Sequence, residues 1–170
     1  QVASCENLIT LFTPRYEANP QDLALSKNIV KMMSMTEGCM DNDLFLNAIQ
    51  TVYTLEPSAS SAYYLYRLYS SRGDVDNAMK YMEEAINSED SDIDTDAEYY
   101  FELAAFSFKS GNSAKAVDAA SKAVEMSDVV DGKAYMLMGT VWSSVVCPGN
   151  EIEQRAKYWV ATDYMNKAKS

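Results

Sequence analysis

The 170-residue chain contains no histidine. This removes every mechanism that needs an imidazole: Ser-His-Asp and Cys-His nucleophile activation, histidine-containing zinc sites and a histidine pH switch. Basic residues are scarce as well, with 14 Lys and Arg against 25 Asp and Glu and a net charge of −11. Phosphate backbones are held by clustered cations, so the balance argues against a nucleic-acid partner. Only three cysteines occur, Cys5, Cys39 and Cys147, at long spacings and with no C-x-x-C. A multi-bridge framework and a four-cysteine metal site are thereby ruled out. The three read as small, half-buried apolar residues. One long-range pair stays open in an oxidising compartment, leaving a third thiol free. Cys147-Pro148-Gly149 reads as an exposed turn whose thiol has no nearby cation to activate it.

Long apolar runs are missing too. Nothing approaches the ~18 residues of a membrane span, and no signal-peptide pattern is visible. The longest uncharged stretch, 134–150, is interrupted by Gly139, Ser143, Ser144, Pro148 and Gly149. It reads as a buried helix and its turn, so membrane insertion is not expected. No Gly-rich phosphate loop and no G-x-S-x-G elbow is present. The chain therefore reads as non-enzymatic, with no catalytic residue, no metal site and no cofactor. It starts at Gln1 and stops in what reads as helix, and is taken as a piece of a longer protein.

What is present is apolar content, 48% of the chain, too much for disorder, and internal repetition. Ala62, Leu65 and Tyr69 share their spacing with Tyr100, Leu103 and Ser107, and again with Tyr135, Met138 and Trp142. Each set is followed by a second helical pattern: Ala78, Met82 and Ala85; Ala116, Ala120 and Ala123; Ala161, Met165 and Ala168. Gly73 and Gly111 sit where a helix must end with positive φ. Asp74 and Asn112 (or Ser113) are the matching N-caps. Thr95-x-x-Glu98 reads as a capping box.

Upstream, Asn19-Pro20 reads as a cap with proline at the first helical position. Leu25, Ile29, Met32 and Met33 mark the inner face of that helix, and Gly38 ends it. Asp41 or Asn42 caps the next, with Phe45, Ala48, Ile49 and Val52 inward and Pro57 as the stop. Residues 4–19 read as a preceding second helix that Pro14 kinks or ends early. Asn150 is expected to cap a final helix over 151–169 whose apolar side carries Ile152, Ala156, Trp159, Val160 and Met165.

The unit is helix, glycine turn, helix, and in this the chain resembles the tetratricopeptide repeat (TPR) proteins. The 38 residues from Gly73 to Gly111 exceed the ~34 of that repeat, an excess that fits within the 88–95 loop. The resemblance covers nearly the whole chain and is strongest over 59–130. It implies an all-α, right-handed superhelix of about four helix pairs in one domain. Its units are a partial 1–19, then 20–57, 58–95, 96–130 and 131–170, the last with an insertion at 145–154. The Cys147-Pro148-Gly149-Asn150 turn and Tyr158-Trp159-Val160-Ala161 are similar to a bacterial, envelope-associated subset of such repeats in Bacteroidetes. That similarity favours the periplasm or cell envelope over the cytoplasm.

The resemblance also implies where a ligand goes. In this family the first helix of each pair lines a concave groove that receives a peptide or partner protein. Its register places Lys27 and Lys31 (with Ser34) in the groove, then Tyr63 and Arg67, then Phe101, Phe108 and Lys109, then Met136 and Thr140. Lys27 and Lys31 share one helix face, and Arg67 can grip a carboxylate bidentately. An acidic or C-terminal peptide is the ligand that fits, although the asparagines of carboxylate-clamp repeats are missing. Ordinary solvated cations are the plainer reading.

The acidic stretch 83–98 holds eight acids and no base. Neither register of its aspartates supplies the glycine and glutamate of an EF-hand loop, so it reads as a solvated loop between repeats. Tyr64, Tyr69, Tyr81, Tyr99, Tyr135 and Tyr158 are expected between helices. The last helix lacks an obvious polar cap, which leaves stacking on further repeats or self-association open as an assembly role.

Overall fold

The computed structural model describes residues 4–146 and 148–169. Among these there is no strand. The helices are α1 (Cys5–Ala18), α2 (Leu23–Ser34), α3 (Asp43–Leu55), α4 (Ala59–Ser71), α5 (Val75–Ile86), α6 (Ile93–Lys109), α7 (Ser113–Met126), α8 (Asp131–Ser144) and α9 (Glu151–Lys167). They fall into two compact units, Gln1–Asp90 and Ser91–Ser170.

The first unit pairs α2 with α3 and α4 with α5, with α1 laid against α2 and α3. Its core is aromatic and branched. Leu8 and Phe12 from α1 join Ile29, Met33, Phe45, Ile49 and Leu65, all buried. Each such side chain contributes about 1.5–3 kcal/mol by leaving water. Tyr81 joins the edge of this core, stacked on Tyr69 at 5.5 Å and meeting Tyr53 edge-on at 5.5 Å. The Tyr53 hydroxyl donates to the Glu84 carboxylate.

The second unit pairs α6 with α7 and α8 with α9, and α7 also packs on α8. Its core is built from small residues. Ala97, Ala104, Ala116, Ala120, Ala123 and Ala134 are fully enclosed, with Leu103, Met138 and Val141 filling between them. Small side chains at these positions let paired helices approach closely. A single 3-10 turn, Asp128–Val130, leads into α8.

The turns follow from local chemistry. Gly73 (φ 75°) and Gly111 (φ 83°) take the left-handed conformation that ends α4 and α6. Asp74 and Asn112 then accept the N–H groups of Asn77 and Lys115 as N-caps. The Asp74 carboxyl is held below its ordinary pKa by the Asn77 side chain and backbone N–H. Asp90 accepts from the Ala59 N–H at 2.8 Å, bracing the start of α4 together with Ser58.

Several sequence expectations shift. Proline 20 does not open α2: the chain turns once more, and Asp22 caps the helix through the Leu25 N–H. Helix α2 has ended at Ser34 before Gly38, which turns the following loop with φ 70°. Pro14 neither ends nor shortens α1, which continues to Ala18. The start of α6 lies two residues before Thr95, capped by Asp92, so Thr95 and Glu98 are not a capping box. In α9, Ile152 and Trp159 face solvent (70% and 65% exposed) and Ala161 is the buried residue. Tyr158 is likewise exposed rather than packed between helices. Cys5 and Cys39 are joined in a disulfide, so they are not free apolar residues. Of the expected Cys147-Pro148-Gly149-Asn150 turn, Cys147 lies outside the described residues; the other three are exposed, with Gly149 at φ 123° and Asn150 capping α9.

Candidate ligand face on the first helices

The first helices of the four pairs are α2, α4, α6 and α8. Each carries a buried anchor: Ile29, Leu65, Leu103 and Met138. Two residues beyond each anchor stand Lys31, Arg67, Ala105 and Thr140. That position points away from the anchor on the helix, and Lys31, Arg67 and Thr140 are exposed there. The repeat thus carries an outward cation on α2 and α4, the first helices in the first unit, and a neutral residue on α6 and α8 in the second.

In the first unit, Lys31 and Arg67 make no ion pair among the described residues. Lys27 differs from them. Its Nζ lies 2.5 Å from the Glu56 carboxylate at the end of α3. Both groups are about half exposed, so the pair is worth no more than ~1 kcal/mol. It nevertheless occupies the charge that the sequence left free. Tyr63, four residues before Arg67, is half-buried, its ring 5.7 Å from that of Tyr66. Arg72, the C-cap residue that follows α4, is committed to Asp41 and Asp43.

In the second unit, Phe101 is half-buried under Lys133. The Lys133 Nζ stands 4.8 Å over the Phe101 ring and 3.7 Å from Glu98, tying α8 to α6. Phe108 is half-buried, and Lys109 is exposed as the last residue of α6. Met136 is half exposed, and Thr140 spends its hydroxyl on the Met136 carbonyl at 2.9 Å. The structure therefore separates the nine sequence-derived residues by unit: a basic and aromatic set on α2 and α4, and Phe101, Phe108, Met136 and Thr140 with the single cation Lys109 on α6 and α8.

Glu56 as the partner of Lys27, and Lys133 as the cover of Phe101, could not be read from spacing. The first contact needs α3 folded back on α2 within one pair, and the second needs the α8 pair packed on the α6 pair.

A family model described as "Tetratricopeptide repeat" matches residues 67–92, spanning most of α4's second half, the Gly73 turn and α5. No curated protein matches the chain by sequence. Among solved structures, one crystal structure of MamA aligns with a TM-score of 0.73 at 17% identity, over 96% of this chain and 88% of that one. A second crystal structure of the MamA protein aligns with a TM-score of 0.72 at 18% identity, over 96% of this chain and 80% of that one. At such identity the likeness shows the fold: an all-α solenoid of paired helices.

Proposed function

We propose that this tetratricopeptide-repeat protein is a non-enzymatic interaction module, and that the first-helix face of its first unit takes an acidic peptide or a C-terminal carboxylate. Repeats of this family act generally as protein-binding scaffolds. The observation that carries the finer reading is the pair Lys31 and Arg67. Both are exposed, neither has an ion-pair partner among the described residues, and both occupy the same position of consecutive repeats. In a chain of net charge −11, two unneutralised cations at one repeat position are a local reversal of sign. Tyr63 supplies an aromatic surface beside Arg67.

Fluorescence anisotropy with a labelled pentapeptide containing two glutamates and a free C-terminus tests this. Binding should weaken at least tenfold in Arg67→Glu and in Lys31→Glu, weaken with added salt, and weaken when the peptide is amidated. Equal affinity for wild type and both variants would sink the reading.

The Cys5–Cys39 bond supports an oxidising compartment for the chain, such as a bacterial cell envelope. A second reading, assembly through α9, is favoured by Ile152 and Trp159, two large apolar side chains left in water. Light scattering over a concentration series decides it: a strict monomer at all concentrations removes it.

A further inference from the structure

Two cavities open between α1 and α3, and they adjoin. One, of about 260 Å³, is lined by Ile9, Thr13 and Leu44 together with Tyr16 and Asn47. The other, of about 230 Å³, is lined by Gln21, Gln50 and Thr54, again with Tyr16 and Asn47. The shared residues make them one cleft with an apolar end and an amide end.

The walls are fixed by their own hydrogen bonds. The Tyr16 hydroxyl donates to the Asn47 carbonyl at 3.0 Å and lies 2.7 Å from the Thr51 hydroxyl. The Thr51 hydroxyl in turn lies 3.1 Å from the Pro20 carbonyl. Gln50 gives one N–H to the Tyr69 hydroxyl at 3.0 Å and keeps its amide oxygen. The side-chain amides of Gln21 and Asn47 have no protein partner among the described residues. Each offers two donors and an acceptor to whatever enters.

We propose that the α1–α3 cleft is a binding site for a short extended peptide, separate from the face that carries Lys31 and Arg67. The apolar end between Ile9 and Leu44 takes one aliphatic side chain. The amides of Asn47, Gln21 and Gln50 bond the neighbouring main chain, whose N–H and C=O groups match an amide's donors and acceptors. The apolar cavity, at about 260 Å³, has room for one aliphatic side chain, and the polar cavity beside it, at about 230 Å³, for the adjacent peptide units. Charge selects further. The Asp43 carboxylate at the rim is paired with Arg72, whereas Glu17 has no ion-pair partner among the described residues. A basic residue next to the aliphatic one is therefore favoured, the opposite sign from the first-helix face.

The cleft depends on α1 staying in place. That helix is held by Leu8 and Phe12 in the core and by the disulfide from its first residue to Cys39. Reduction removes one of these ties, so affinity for the peptide falls in reductant.

The test is a titration of the intact, nitrogen-15-labelled chain with acetylated, amidated glycine-leucine-lysine-glycine, read by NMR. The side-chain amide signals of Asn47, Gln21 and Gln50 should move saturably. Asn47→Ser, a change at an exposed position, should weaken the apparent Kd at least tenfold. Replacing the peptide's leucine by glycine should do the same, and replacing its lysine by glutamate should weaken it at least threefold. The proposal is overturned if these amides stay still up to millimolar peptide, or if Asn47→Ser binds as wild type does. It is also overturned if maltotriose moves them while the peptide does not, or if the shifts appear around Lys31 and Arg67 instead.

Discussion

Cys5, the first residue of α1, is bonded through its sulfur to Cys39, which follows the left-handed Gly38 in the loop after α2, with 5.2 Å between the two Cα atoms. The bond closes a loop of 34 residues in sequence separation and pins α1 to the α2–α3 pair. In the chain-entropy account such a closure is worth about 3–4 kcal/mol. Reduction, or the Cys5→Ser, Cys39→Ser double variant, should lower the melting temperature by roughly 6–15 °C. Calorimetry with and without reductant checks it, and an unchanged Tm would show that α1 is held by Leu8 and Phe12 alone.

Tyr53 and Glu84 set an alkaline limit. The hydrogen bond to Glu84, aided by burial and by the Glu84 charge, pushes the Tyr53 phenol up from 10.0 to about 12. A group whose pKa is raised in the folded state stabilises it as long as the proton is on. The contribution is whole below pH 10 and drains away as the pH climbs to about 12. Glu84→Gln should bring the Tyr53 titration, followed by carbon-13 NMR of its ring, back toward the ordinary value. A Tyr53 titration that stays put in that variant would exclude Glu84 as the cause.

Gly139 sits at a close approach of α8 to α9. A Cβ at this position would stand 2.9 Å from the Met165 Cγ and 3.1 Å from the Ala161 carbonyl oxygen. Gly139→Val should destabilise the chain by about 1–3 kcal/mol through overpacking. Adding Met165→Ala should recover part of the loss, because it removes the nearer obstacle. Chemical denaturation of the two single variants and the double variant measures this. Strictly additive losses would contradict the contact.

The helix pairs were legible from residues alone because their determinants are local. Gly73 and Gly111 turn where only positive φ serves, Asp74, Asn42 and Asn150 cap the next helix through their own side chains, and the anchors Ile29, Leu65, Leu103 and Met138 recur at helical spacing. The first-helix positions of Lys31 and Arg67 follow from that same periodicity. At two helix starts, two local signals compete. Asn19 with Pro20 and Thr95 with Glu98 both resemble helix starts, yet Asp22 and Asp92 took the caps.

What the tertiary structure decided was the set of partners. Nothing in the spacing of three cysteines chooses Cys5 with Cys39; folding α1 onto α2 and α3 does. Lys27 carries the same charge as Lys31, but α3 ends with Glu56 beside the first and offers nothing to the second. The pattern of α9 makes Ile152 and Trp159 look inward, but this helix packs through Ala161 and leaves both in water. The cleft shared by Tyr16 and Asn47 brings together two residues 31 apart in sequence. Local chemistry set where the helices of this protein begin, end and turn, and long-range packing set which of their charges, thiols and amides remain free to meet another molecule.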